Sequence, residues 1–153
     1  DSGEDDDDSG GGDDDDSGGG DDDDATPCDV SWLVELPDPV SLAFQIEPVL
    51  ALRCDPCHTE QNRGKLSLNP GGTHAQLVGV PNLLGYGGDM PRVTPVEPQA
   101  SYLMHKLVRC GPQDASWGHY QSTMPPPIGE AVALTVEETS LIYSWILQGA
   151  EEN

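Results

Sequence analysis

Apolar residues recur at helical spacing in a few stretches of this chain and are thinly scattered elsewhere. The clearest stretch lies near the C-terminus. Leu141, Ile142, Trp145 and Ile146 share one face of a 3.6-residue turn. Thr135-Val136-Glu137-Glu138 just before them is a capping box, with Thr135 as N-cap and Glu138 three residues on. Gly149 supplies the stop. A second helix is expected over Ala100–Arg109, where Leu103 and Leu107 stand four apart beside Tyr102. Glu47–Arg53 reads as a shorter helix, with Pro48 suited to the first helical position. Thr73–Val78 adds one or two turns between a Thr cap and Gly79. The intervening stretches, Gly64–Gly72, 80–97 and 110–134, are loops that include Pro125-Pro126-Pro127. Residues 25–46 form a lead-in with scattered apolar groups, Val30, Trp32, Leu33, Val34 and Leu36, broken by Pro37 and Pro39. The pattern predicts an all-α domain over residues 47–150, with long loops, almost no strand and little core of its own.

Charge sets the first 24 residues apart from that domain. They hold 14 of the 28 acidic residues and no base. The other 129 residues carry 14 acids against 6 bases, a balance of −8 within the net −22. Four-residue runs recur with a period of eight: Asp5, Asp6, Asp7, Asp8; Asp13, Asp14, Asp15, Asp16; and Asp21, Asp22, Asp23, Asp24, separated by Ser-Gly-Gly-Gly. With nothing apolar to bury and like charges repelling, this tail is expected to be disordered and extended. It reads as a solvated tether. Its carboxylates also suit calcium, although the spacing does not match an EF-hand loop. Nucleic acid is excluded as a partner by the lack of clustered Lys and Arg, and an anionic membrane surface is disfavoured on the same ground. No apolar run reaches the roughly 20 residues of a membrane span.

The candidate chemistry sits at the end of the short Glu47–Arg53 helix. Cys54-Asp55-Pro56-Cys57-His58 is a C-x-x-C-H pentad, the attachment signature of c-type haem. Two thiols add across the two vinyl groups of a porphyrin, and two intervening residues let both sulfurs reach that edge. The following His58 then offers an imidazole nitrogen to iron. A redox C-x-x-C pair would not require the His. A zinc site would need two more ligands, and neither a second C-x-x-C nor an H-x-x-x-H occurs.

A six-coordinate haem needs a second axial ligand. Met90, Met104, Met124, His74, His105 and His119 are the candidates. Met124-Pro125-Pro126 is preferred, because a rigid Pro run ahead of the last helix can fix the thioether. Met90-Pro91 is the runner-up, and Met104 inside a helix reads as core filler. Haem attachment of this kind takes place outside the bacterial cytoplasm, so the chain is expected to be a mature, exported protein, periplasmic or extracellular, whose leader has been removed. In that oxidising setting the two remaining cysteines, Cys28 and Cys110, are expected to form a disulfide.

With these residues in hand, the chain resembles class I cytochromes c, and most closely the monohaem domains of planctomycete type. The matching residues are Ile46-Glu47-Pro48-Val49-Leu50 before the pentad, Ser101-Tyr102-Leu103, Met124-Pro125-Pro126, Thr135-x-x-Glu138 and Trp145-Ile146-x-x-Gly149-Ala150. The likeness covers roughly residues 44–150. It implies N- and C-terminal helices crossing beside the haem, His58 proximal, Met124 distal and Trp145 packed near the ring. Two features depart from the family pattern: no Gly follows His58 closely, and the second cysteine pair is not general. The expected function is one-electron transfer with a redox protein that presents a basic docking surface. Two alternatives stand beside it. One is a haem enzyme or gas sensor, which requires a weak Met124 and a distal group such as His119. The other is a structural subunit whose haems stack into an assembly, with the acidic tail serving for anchoring or self-assembly through cations.

Overall fold

The computed structural model describes residues 29–55, 57–61, 63–82, 90–108, 124–126 and 132–153. The acidic tail, His119 and both members of the expected Cys28–Cys110 pair lie outside them.

Among the described residues four α-helices carry the fold: α1 (Glu47–Cys54), α2 (Thr73–Leu77), α3 (Tyr102–Val108) and α4 (Val136–Leu147). A wide π-helical turn, Leu42–Ile46, leads directly into α1, and 3-10 turns sit at Arg63–Lys65 and Pro98–Ala100. Among the described residues there are no strands, only the isolated bridges Val78–Val93 and Pro81–Pro91. The domain is all-α, as its apolar spacing predicts. No helix among the described residues is long and apolar enough to cross a membrane.

The N-terminal helical run begins five residues earlier than the apolar pattern suggests. The Ser41 hydroxyl accepts from the Phe44 N–H, and the Gln45 side chain accepts from the Ser41 N–H. This local capping starts the run at Leu42. Leu42 and Ile46, four apart, turn inward and are buried. α2 is capped differently from expectation. Gly72, not Thr73, is its N-cap, and the Thr73 hydroxyl donates instead to the Asn69 carbonyl.

α4 is fixed at both ends by its own sequence. The Thr135 hydroxyl accepts from the Glu138 N–H, and the Glu138 carboxylate accepts from the Thr135 N–H at 2.8 Å. At the far end the Gly149 N–H reaches the Ile146 carbonyl and the Ala150 N–H reaches the Trp145 carbonyl. That is a Schellman ending, and it places Gly149 at φ +108°, where a side chain is strained.

The lead-in belongs to the same packed unit. Ser140, Ser144 and Gln148 recur every four residues along α4 and form a polar seam. Ser140 accepts from the Val34 N–H, Ser144 from Leu36 and Gln148 from Val40. Ser144 and Gln148 donate back to carbonyls of Val34, Leu36 and Asp38. Irregular backbone lying on a helix must satisfy its amides somewhere, and here the helix side chains do so. Beneath the seam Ile46, Leu50, Met104, Ile142, Trp145 and Ile146 are all at most 1% exposed. Each such side chain contributes about 1.5–3 kcal/mol by leaving water. The Trp145 indole N–H donates to the Glu151 carbonyl at 3.0 Å.

Candidate functional site

α1 delivers the pentad. Cys54 is its last residue, and the His58 N–H donates to the Cys54 carbonyl at 3.0 Å. The chain then folds back on itself. The Arg63 N–H reaches the Cys57 carbonyl at 2.8 Å, and the Leu68 N–H reaches the His58 carbonyl at 2.6 Å. Such a reversal needs left-handed backbone. Although no Gly lies close after His58, Gly64 at φ 66° and Lys65 at φ 54° supply it.

This loop also orients the imidazole. His58 Nδ1 lies 2.9 Å from the Arg63 carbonyl. A carbonyl only accepts, so Nδ1 carries the proton, and the lone pair of the neutral ring is on Nε2. Burial, partly opposed by backbone hydrogen bonding, holds the His58 pKa below its ordinary value. That shift favours the neutral form a metal ligand requires.

Arg53, one residue before Cys54, anchors the end of α1. Its guanidinium meets Glu138 at the start of α4 in a fork, Nε to both carboxylate oxygens at 3.0 Å and Nη2 to Oε1 at 2.8 Å. The same carboxylate closes the α4 capping box. One ion pair therefore couples the pentad to the terminal helix. Burial, then the neighbouring Cys57, push the Cys54 thiol up to about 12. A redox or metal-binding cysteine wants the opposite shift.

Cys54, Cys57 and His58 open onto a cavity of about 430 Å³. This lies within the roughly 300–1,000 Å³ of cofactor sites. Leu66, Leu68, Leu103 and Leu107 supply apolar wall, and Met124 and Pro126 contribute from a third segment. The Met124 N–H donates to the Lys106 carbonyl at 2.9 Å, which ties the Met-Pro-Pro loop to α3. Four residues singled out in the sequence, from segments 66 positions apart (His58 to Met124), thus border one space. An apolar cavity edged by two thiols, an imidazole and a thioether has the donor set and wall chemistry that a covalently held haem requires.

The remaining candidates lie elsewhere. Met104 is fully buried in the core, and Met90 is half-buried with its carbonyl accepting from the Asn82 N–H. Neither lines the cavity. Trp145 is also in the core and is not a lining residue. His74 Nε2 and His105 Nε2 bond the Ala150 and Gln99 carbonyls. Among the described residues no cluster of three or more His, Cys, Asp or Glu could hold a metal ion.

Sequence reasoning assigned no cavity role to five polar lining residues: Arg63, Asn82, Arg92, Tyr102 and Lys106. Arg92 and Lys106 are only 5% and 7% exposed. The signal that could have found them is the scarcity of bases in so acidic a chain. No family model matches the chain, and no curated protein or solved structure is significantly similar to it.

Proposed function

We propose that this chain is an extracytoplasmic monohaem c-type cytochrome that passes single electrons between redox partners. The observation that carries the reading is the convergence of Cys54, Cys57, His58 and Met124 on one apolar cavity. Cys54 and Cys57 would hold the haem through thioethers, and His58 Nε2 and the Met124 sulfur would bind its iron. The group supplies an iron that alternates between ferrous and ferric. The chain's residues keep that alternation clean. With both His58 and Met124 on the iron no position would be left for substrate, and a thioether would favour ferrous iron relative to a second imidazole. The leucine walls exclude water, which keeps the site's reorganisation small. The first 24 residues act as an acidic tether or cation-responsive bridge, and the partner presents a basic surface to this acidic protein.

Optical and redox spectroscopy of the purified, haem-loaded protein tests the reading. The expected result is haem that resists extraction into acidified organic solvent, a far-red sulfur-to-iron band and no carbon monoxide binding in the resting state. Haem that extracts freely, or an intact mass lacking one haem, overturns it.

A further inference from the structure

The six bases of this chain are unevenly used: Arg63, Arg92 and Lys106 border the same cavity, and none of its described lining residues is acidic. Arg92 and Lys106 are also the two charged residues buried among the described ones. In a protein of net charge −22 this is a local reversal of sign. We propose that Arg92 and Lys106 form a carboxylate-binding edge of the cavity that holds the two propionates of the haem. The proposal rests on the haem reading and deepens it by naming the residues that meet the acidic edge of the ring.

The geometry suits the task. The Arg92 guanidinium is pinned by two backbone carbonyls, Nη1 to Gln76 and Nη2 to Lys65, each at 2.8 Å. A guanidinium has five N–H groups, so a fork held in this way has donors beyond those two. Lys106 is carried by α3, one turn after Tyr102, so both fall on one helix face. The start of α3 is bonded directly to the Arg92 segment, with the Tyr102 N–H to the Pro91 carbonyl and the Leu103 N–H to the Arg92 carbonyl, each at 2.9 Å. The two cations thus stand on hydrogen-bonded neighbouring segments. Asn82 is brought to the same region by the Pro81–Pro91 bridge. Burial penalises both cations and lowers the pKa of each. A docked carboxylate offsets that penalty, because charge-assisted hydrogen bonds are strong away from water. Neither a zinc ion nor a dithiol redox pair has an acidic edge to occupy such a place.

These cations also act on the iron. Ferric haem carries one more positive charge than ferrous, so a buried cation favours reduction. The test measures the midpoint potential of the full, haem-loaded chain as wild type and as Arg92→Gln, Arg92→Lys, Lys106→Gln and Lys65→Gln. Lys65 is exposed and does not line the cavity, so its loss changes net charge equally from outside. The expected result is a shift of about tenfold towards ferric iron in Arg92→Gln and in Lys106→Gln, or about 59 mV for one electron. Arg92→Lys recovers more than half of that shift, and Lys65→Gln moves little. The far-red band persists throughout, which separates a lost field from a lost Met124 ligand. Glutamine variants that track Lys65→Gln overturn the proposal. If Arg92→Gln yields no folded protein, Lys106→Gln decides alone. A wild-type chain without covalent haem overturns the haem reading and this inference together, an outcome distinct from a loaded chain whose potential ignores both residues.

Discussion

The seam between α4 and the N-terminal segment and the wall around the pentad differ in how they are closed. Along α4 the chain finishes its own packing. Ile46, Ile142, Trp145 and Ile146 fill the space, and Ser140, Ser144 and Gln148 accept from the backbone amides of Val34, Leu36 and Val40. Around Cys54–His58 the leucines surround a space rather than fill it, and two cations are buried at its border. Close-packed interiors leave few voids larger than a water molecule. The cavity of about 430 Å³ bordered by these leucines is the space the proposed haem would fill. One region is stabilised by the chain alone, and on the proposed reading the other would be completed by the haem.

The largest effect expected on that contrast comes from removing the attachment points. Replacing Cys54 and Cys57 together by Ala should abolish covalent haem. It should also lower the thermal stability of the matured protein far more than two ordinary surface changes, which stay within about 0.5 kcal/mol each. Intact mass and thermal unfolding check it. If the variant is as stable as the loaded wild type, the bound group is not part of the packing.

Met124→Ala should come next. It should erase the far-red band, open the iron to carbon monoxide and lower the potential by a sizeable part of the roughly 0.8 V that axial ligands span. Met90→Ala should do none of this. Should Met90→Ala change the ferric spectrum while Met124→Ala leaves it intact, the ligand assignment is reversed.

The self-packed region is probed by Ile146→Ala, which removes a fully buried side chain. A cost of about 2–5 kcal/mol is expected, read by denaturant unfolding, with the haem spectrum of the folded fraction unchanged. A spectral change would mean that the two regions are not separable at this point.

Glu138→Gln tests the link between them, at an expected cost of about 1–3 kcal/mol. The hydrogen bonds from Arg53 hold the Glu138 pKa below its ordinary 4.5. A depressed carboxylate stabilises the fold fully above its unfolded pKa, and that contribution fades as pH falls through the lower, folded value. The wild type should therefore lose stability relative to Glu138→Gln as the solution is acidified below about 4.5. Unfolding curves at pH 7 and pH 3 measure the difference. A difference independent of pH would remove the ionic part of the argument.

Deleting residues 1–24 should have the smallest effect on the folded domain, within about 0.5 kcal/mol, with spectrum and potential unchanged. Association with a basic partner should slow at low salt. A truncated chain that fails to take up haem would contradict this separation.

The sequence by itself determined what depends on neighbours along the chain. The capping box at Thr135–Glu138, the stop at Gly149 and the apolar face of α4 are local, because each is set within one or two helical turns. The pentad is local too, since five consecutive residues make it. The tertiary structure decided what depends on distant partners. The early start of the N-terminal helix was only partly legible, because Leu42 and Ile46 gain their burial from α4. Ser140 and Ser144 read as indifferent polar residues until the lead-in lies across them. Arg92 and Lys106 look like ordinary surface charges in sequence. Only the backbone pairing of Pro81 with Pro91, and of α3 with the Arg92 segment, brings them into the cavity. A periodic pattern encodes which face of a helix avoids water, but the partner that covers that face, or the space left uncovered, is fixed only when separate segments close on one another.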